Sequence, residues 1–366
     1  MLQDAGVDLS RPEVDTEDGE GRTALTVALA FGQEAAARAL LEAGAGVNAG
    51  TGQRPLHGAA EGGMVEMLRE LVDKGADVDA EDGEGHTALT VALAGGQEAA
   101  ARALLEAGAG VNAGTGRRPL HAAAERGTVE LVRELLEKSA EVDAEDREGR
   151  TALTVALAFG QEAAARALLE AGAGVNAGTG RRPLHAAAER GTVELVRELL
   201  EKSAEVDAED REGRTALTVA LAFGQEAAAR ALLEAGAGVN AGTGRRPLHA
   251  AAERGTVEMV RELAGKGAEV DAEDGEGRTA LTVALAFGQE AAAWALLEVG
   301  AGVNAGTGRR PVHAAAEKGM EEMNGVRQAR QRAGDEVFGM RRTEICGLFR
   351  SEVQIVPVRN EEGWAE

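Results

Sequence analysis

Aromatic side chains are nearly missing from this 366-residue chain, which has six Phe, two Trp and no Tyr. Large rings normally supply much of a globular core, at about 150–250 Å² buried each. Any interior here must therefore be built from Ala, Leu and Val. Cysteine occurs once, at Cys346, which excludes an intramolecular disulfide framework and any multi-cysteine zinc site. No apolar run approaches the roughly 18 residues that span a bilayer. Residues 1–5 show neither the basic start nor the apolar stretch of a secretory leader, and no Asn is followed two places on by Ser or Thr. Positive charge is also short, with 39 Lys and Arg against 62 Asp and Glu and a net charge of −23. That balance disfavours a phosphate-backbone ligand, which is held by cations. The expected setting is cytoplasmic or nuclear, with neither nucleic acid nor membrane as partner.

Glycine, by contrast, is abundant at 50 residues, and it recurs on a fixed rhythm. Thr-Ala-Leu-Thr stands at Thr23, Thr87, Thr151, Thr215 and Thr279, always 64 residues apart. Pro-Leu-His or Pro-Val-His follows at Pro55, Pro119, Pro183, Pro247 and Pro311 with the same period. Thr23 to Arg54 is 31 residues and Arg54 to Thr87 is 33, so each unit is two related modules. Ten modules run from about Val14 to Met323, and 143–206 differs from 207–270 at only four positions.

Each module reads as helix, turn, helix and extended loop. Pro55 fits the first helical position, where its missing N–H costs nothing. Gly63 ends that helix, and Val65, Leu68, Leu71 and Val72 recur at helical spacing in a second one closed by Gly75. One such module buries too little apolar area to offset its chain entropy, so neighbours must share an interior. Leu104, Leu105, Leu131 and Leu135 are the expected packing residues, with Ala letting helices sit close.

The lines Arg118-Arg-Pro-Leu-His-Ala-Ala-Ala-Glu-Arg-Gly127 and Ala140 to Thr151 resemble the ankyrin repeat, over about 310 residues. The resemblance implies an all-α solenoid of stacked helix-turn-helix units with β-hairpin-like finger loops. Odd modules depart from it by carrying Thr-Ala-Leu-Thr in place of Thr-Pro-Leu-His, and the loop entering each even module is two residues shorter, predicting a stunted finger. The domain organisation expected is the end of a preceding repeat at 1–13, the array at 14–323 and a degenerate cap or irregular tail at 324–366. That tail holds seven basic and seven acidic residues, so the whole net charge sits on the repeats.

Two patterns suggest chemistry and fail on context. Gly44-Ala-Gly-Val-Asn-Ala49 matches a dinucleotide fingerprint, but it follows a helix and leads into a loop, the reverse of what phosphate binding needs. A helix cap explains it better. His57, His121, His185, His249 and His313 stand two modules apart, about 20 Å, too far to share an ion with ligand bonds of about 2 Å. They are expected to bond nearby backbone. Neither a cofactor, a metal nor a catalytic constellation is expected.

The ankyrin resemblance places the two residues before each mid-module glycine on the concave groove. In odd modules the second of them is Phe31, Phe159, Phe223 and Phe287, interrupted by Gly95. In even modules it is Arg126, Arg190, Arg254 and Lys318, interrupted by Gly62. One reading makes this alternation a partner-binding groove, because Phe and Arg are enriched in interface cores. The other has Phe merely covering an Ala-rich helix and Arg pairing with Glu125-type neighbours. At the level of function, the first expectation is a monomeric, non-enzymatic scaffold that binds protein partners. The alternatives are the sensing arm of a larger NTPase-bearing, NLR-like signalling protein, and a passive spacer.

Overall fold

In the computed structural model, residues 12–311, 313 and 314 are described. They form eighteen α-helices in nine helix-turn-helix pairs, from Ala24–Ala30 to Glu290–Glu298. The chain divides into two compact units, the first ending at Ala237 and the second beginning at Gly238. Lys318, most of the tenth module and the proposed tail at 324–366 lie outside the described residues, as does most of segment 1–13.

Local chemistry sets where each helix starts and stops. In even modules the first helix opens on proline, as at Pro119–Arg126, behind an extended Arg118. Gly127 closes it at φ +78°, a left-handed conformation that glycine adopts without the Cβ penalty. Odd modules have no proline there, and a threonine cap takes over. The Thr151 hydroxyl accepts from the Thr154 backbone N–H at 3.3 Å, a kind of cap that contributes about 1 kcal/mol. The second helices of odd modules, such as Glu162–Glu170, end before a left-handed glycine, with Gly44 at +90°, Gly108 at +89° and Gly172 at +88°. The dinucleotide-like pattern is thus a helix terminus.

In the first unit the leading helices touch in succession from Ala24–Ala30 through Ala216–Ala222. Ala122, Ala123 and Ala124 are fully buried between them, and Leu104, Leu131 and Leu135 close the space to the second helices. Each buried leucine contributes about 1.5–3 kcal/mol, and the Ala positions let the backbones approach. The trailing helices associate in twos: Val65–Asp73 with Glu98–Glu106, Val129–Glu137 with Glu162–Glu170, and Val193–Glu201 with Glu226–Glu234. The second unit repeats the pattern once, with Pro247–Arg254 against Ala280–Ala286 and Val257–Gly265 against Glu290–Glu298.

Junctions between modules alternate in the bonds that they use, although side chains take part in both kinds. From an odd module to the next even one, the short loop docks on the preceding finger. Gly116 N–H donates to Gly85 O at 2.9 Å, Gly110 N–H to Asp79 Oδ1 at 2.7 Å and Thr115 Oγ1 to Glu81 Oε2 at 2.6 Å. From an even module to the next odd one, a buried histidine, an asparagine and arginines make the bridge. His121 Nε2 donates to Arg150 O at 2.9 Å, while Asn112 clasps Ser139 O and the Glu141 N–H at 3.2 and 2.9 Å. Arg118 pairs with Glu141 at 2.8 Å and Arg133 with Glu170 at 3.3 Å. Four odd fingers close on a single β-bridge, Glu17 with Thr23, Glu81 with Thr87, Glu209 with Thr215 and Glu273 with Thr279. The finger before Thr151 does not, and no such bridge occurs in the even loops among the described residues.

Candidate interaction surface

The row of interest lies at the ends of the leading helices. Phe159 and Phe223 are the residues that close Ala152–Ala158 and Ala216–Ala222, each followed by a left-handed glycine. The helix therefore stops with its last side chain turned outward. Phe159 is 45% exposed and Phe223 44%, whereas Phe31 is 71% exposed. Phe159 stands between modules that carry Arg126 and Arg190, while Phe31 is followed by a module with Gly62, so nothing long lies beside it. In the second unit Phe287 is 52% exposed.

The arginines of the row are exposed as well, at Arg126, Arg190 and Arg254. They do not take the acidic neighbour that the sequence offers them. Glu125 pairs with Arg117, Glu189 with Arg181 and Glu253 with Arg245, each from the loop that enters the module. Arg126 and Arg190 make no hydrogen bond or ion pair among the described residues. Arg126 instead lies across Gly96, and Arg190 across Gly160, where a Cβ would stand about 3 Å from the guanidinium. Arg126 and Phe159 line one depression of about 330 Å³ with Ala94, Ala122, Glu125 and Gln161. The first unit thus brings Arg126, Phe159 and Arg190 into an alternating series whose polar ends are unspent. Periodicity gave no sign of the Arg117–Glu125 pairing, which joins a loop to a helix.

Buried histidines serve the stack. His57, His121, His185 and His249 are at most 1% exposed, and each gives Nε2–H to a carbonyl 29 residues ahead, in the next module. Burial pushes all four imidazoles below their ordinary pKa, and the carbonyl bond only partly counters it. Asp146 and Asp210 behave differently. Burial raises these carboxyls, but the backbone N–H and guanidinium of Arg150 or Arg214 more than offset it and hold them below the usual range. Among the described residues no group of three His, Cys, Asp or Glu side chains is placed to hold a metal ion, and no helix is long and apolar enough to cross a membrane.

The family profile described as "Ankyrin repeats (3 copies)" matches this sequence at 43–115, 109–179, 171–243 and 236–307. Those matches overlap from 43 to 307, well over half of the chain. The chain belongs to the ankyrin-repeat family. Human "Ankyrin repeat and SOCS box protein 16" is 36% identical over 58% of this chain and 52% of its own length. The "E3 ubiquitin-protein ligase KEG" of Arabidopsis thaliana is 28% identical over 83% of this chain but only 20% of its own. The crystal structure of the human ASB11 ankyrin repeat domain covers 68% of this chain and 99% of that one, at 29% identity and a TM-score of 0.46. This ankyrin chain therefore spans about half the length, or less, of the curated relatives named here. Ankyrin repeats are protein–protein interaction units and generally non-catalytic, so the paired helices, the fingers and the exposed row are read in that light.

Proposed function

We propose that this chain is a non-enzymatic scaffold that holds protein partners on the Phe/Arg row, with Phe31, Arg126, Phe159, Arg190 and Phe223 in the first unit and Arg254, Phe287 and Lys318 continuing the sequence pattern. The observation that carries the reading is that Arg126 and Arg190 flank the exposed Phe159 in sequence and have no partner of their own. An exposed ring beside uncommitted guanidinium groups is the composition of an interface centre. Selection from a displayed library of protein fragments against the immobilised chain supplies the ligand. Phe159→Ala with Phe223→Ala then lowers capture at least about tenfold, the loss of a single hot spot of about 1.4 kcal/mol, while the helical circular dichroism spectrum stays unchanged. Undiminished capture refutes the row, and a selection that returns no binder favours a passive spacer. In this reading the chain acts as a monomer in the cytoplasm or nucleus, which sedimentation and imaging of a tagged chain test.

A second reading has a specific observation behind it. The matched relatives are much longer than the matched region, down to a 20% share for the plant ligase. That ground supports an array that is one part of a larger protein, and this reading makes it the sensing arm of an NTPase-bearing signalling protein. A transcript that extends the reading frame into a nucleotide-binding domain supports it, and one without such a domain ends it.

A further inference from the structure

Four positions that are large in every other copy are reduced in one short stretch. Gln53 stands where the other even modules have Arg117, Arg181, Arg245 and Arg309, and Gly62 where they have Arg126, Arg190, Arg254 and Lys318. His86 replaces the Arg of Arg22, Arg150, Arg214 and Arg278, and Gly95 replaces the Phe of the row. Three cations and one ring are thus removed between residues 53 and 95, and the acidic residues around them are kept.

Three of the four departures, Gln53, His86 and Gly95, line a single open cavity of about 760 Å³ within the first unit. Glu61 and Glu84 line it too. Their counterparts elsewhere are closed by the chain's own arginines. Glu125 and Glu189, the copies of Glu61, pair with Arg117 and Arg181. Glu148, the copy of Glu84, pairs with Arg150 at 3.3 Å. Gln53 cannot replace that partner, and Glu61 makes no ion pair among the described residues. Arg22 is the cation that Glu61 acts on, and its guanidinium is held by Asp18 and Glu20 at 2.9 Å each. Glu84 has only the imidazole of His86, at 3.5 Å. Three arginines line the cavity. Arg117 is paired with Glu125 and Arg150 with Asp146, while Arg147 gives its Nε–H to the Thr115 carbonyl at 3.3 Å and makes no ion pair among the described residues, Glu61 included. At Gly95 the backbone is helical and a Cβ would meet only Gln97, at 3.5 Å, so the gap there comes from a missing side chain and not from a blocked one.

We infer that this cavity is a subsite for an arginine side chain of the partner polypeptide, whose guanidinium takes the place beside Glu61 that the chain's own arginine occupies in the sister modules. The alkyl stem lies along Val91 and Ala94, which Gly95 leaves uncovered. A guanidinium is the group expected because the ion pair it reproduces is made by arginine in the sister modules, Arg117 with Glu125 and Arg181 with Glu189. The inference rests on the protein-binding reading and gives it a chemistry: the partner is basic at this point of the surface.

The test uses the full chain and N-acetyl-arginine methylamide as probe, followed by NMR shifts of the Gly95 amide and the His86 ring. Saturable shifts are expected, with an apparent Kd at least about tenfold lower than for the uncharged citrulline analogue, since hydrogen bonds to charged groups are the strong ones. Gln53→Arg, which restores the residue of the other copies and leaves the fold intact, should weaken the probe by a similar factor. Equal response to citrulline, no saturable shift, or unchanged binding by Gln53→Arg overturns the subsite. Loss of the subsite alone leaves the Phe159/Phe223 dependence of capture standing. Arginine binding that persists without that dependence supports the subsite and removes the row.

Discussion

Two serines sit in a conformation that the rest of the array reserves for glycine. After the trailing helices Val129–Glu137 and Val193–Glu201, Ser139 and Ser203 have φ +68° and +67°. At the same place Gly75 and Gly267 have φ +89°. An L-residue in the left-handed region costs about 1–2 kcal/mol. Glycine gives back about 0.4–1 kcal/mol through the larger freedom of the unfolded chain. A Cβ at Gly75 or Gly267 would touch nothing within 4 Å, so packing does not enter the comparison. The serine carbonyls, which accept from Asn112 and Asn176, belong to the backbone and survive the change. Ser139→Gly should therefore stabilise by about 0.5–1 kcal/mol, Ser203→Gly likewise, and the two together by roughly the sum because the sites are far apart. Gly267→Ser should destabilise by a similar amount. Urea unfolding followed by circular dichroism reads each shift in midpoint at constant slope. A midpoint that falls for Ser139→Gly, or rises for Gly267→Ser, refutes the argument that the backbone term decides these positions.

Acid should weaken the stack at mild pH. The buried histidines stay neutral when folded and take up protons near pH 6.5 when unfolded, so stability falls as pH drops below about 6.5 and keeps falling toward the lower folded pKa values. Each contributes at most about 1.4 kcal/mol per pH unit, so the three in the first unit approach about 4 if it melts as one. Urea midpoints that do not change between pH 7 and 5.5 refute this. Asp146 and Asp210 add a further loss only below about pH 4, where the unfolded carboxyls protonate first. Close approach sets the third expectation, since a Cβ on Gly180 would collide with the Glu148 carbonyl oxygen of the docking finger. Gly180→Ala should cost about 1–3 kcal/mol, whereas an unaltered melting temperature would mean that this loop is not docked.

Much of this protein was readable from its residues. Proline at the head of Pro119–Arg126 and glycine at its foot mark a helix through effects that reach only a few residues. The 64-residue rhythm implies shared burial for Leu104 and Leu131, because no single module can hide them. Alternation in loop length likewise anticipated the stunted even loops, which carry no β-bridge among the described residues. The side chains of Phe159 and Arg126 are exposed, and the alternative Arg126–Glu125 pairing is not formed, because Arg117 comes from the loop and takes Glu125.

What lay beyond the sequence is whatever passes between modules. Identical His-Ala-Ala segments give no hint that His121 reaches the Arg150 carbonyl of the next module, whereas Thr154 at the matching position bonds Thr151 within its own module. Gln53, His86 and Gly95 are visible as departures, yet they are up to 42 residues apart in the chain, and only stacking carries them to one cavity. Helix caps depend on neighbours along the backbone, and these are fixed by spelling. Contacts across a junction depend on how one rigid pair of helices seats on the next, which side-chain volume decides in three dimensions.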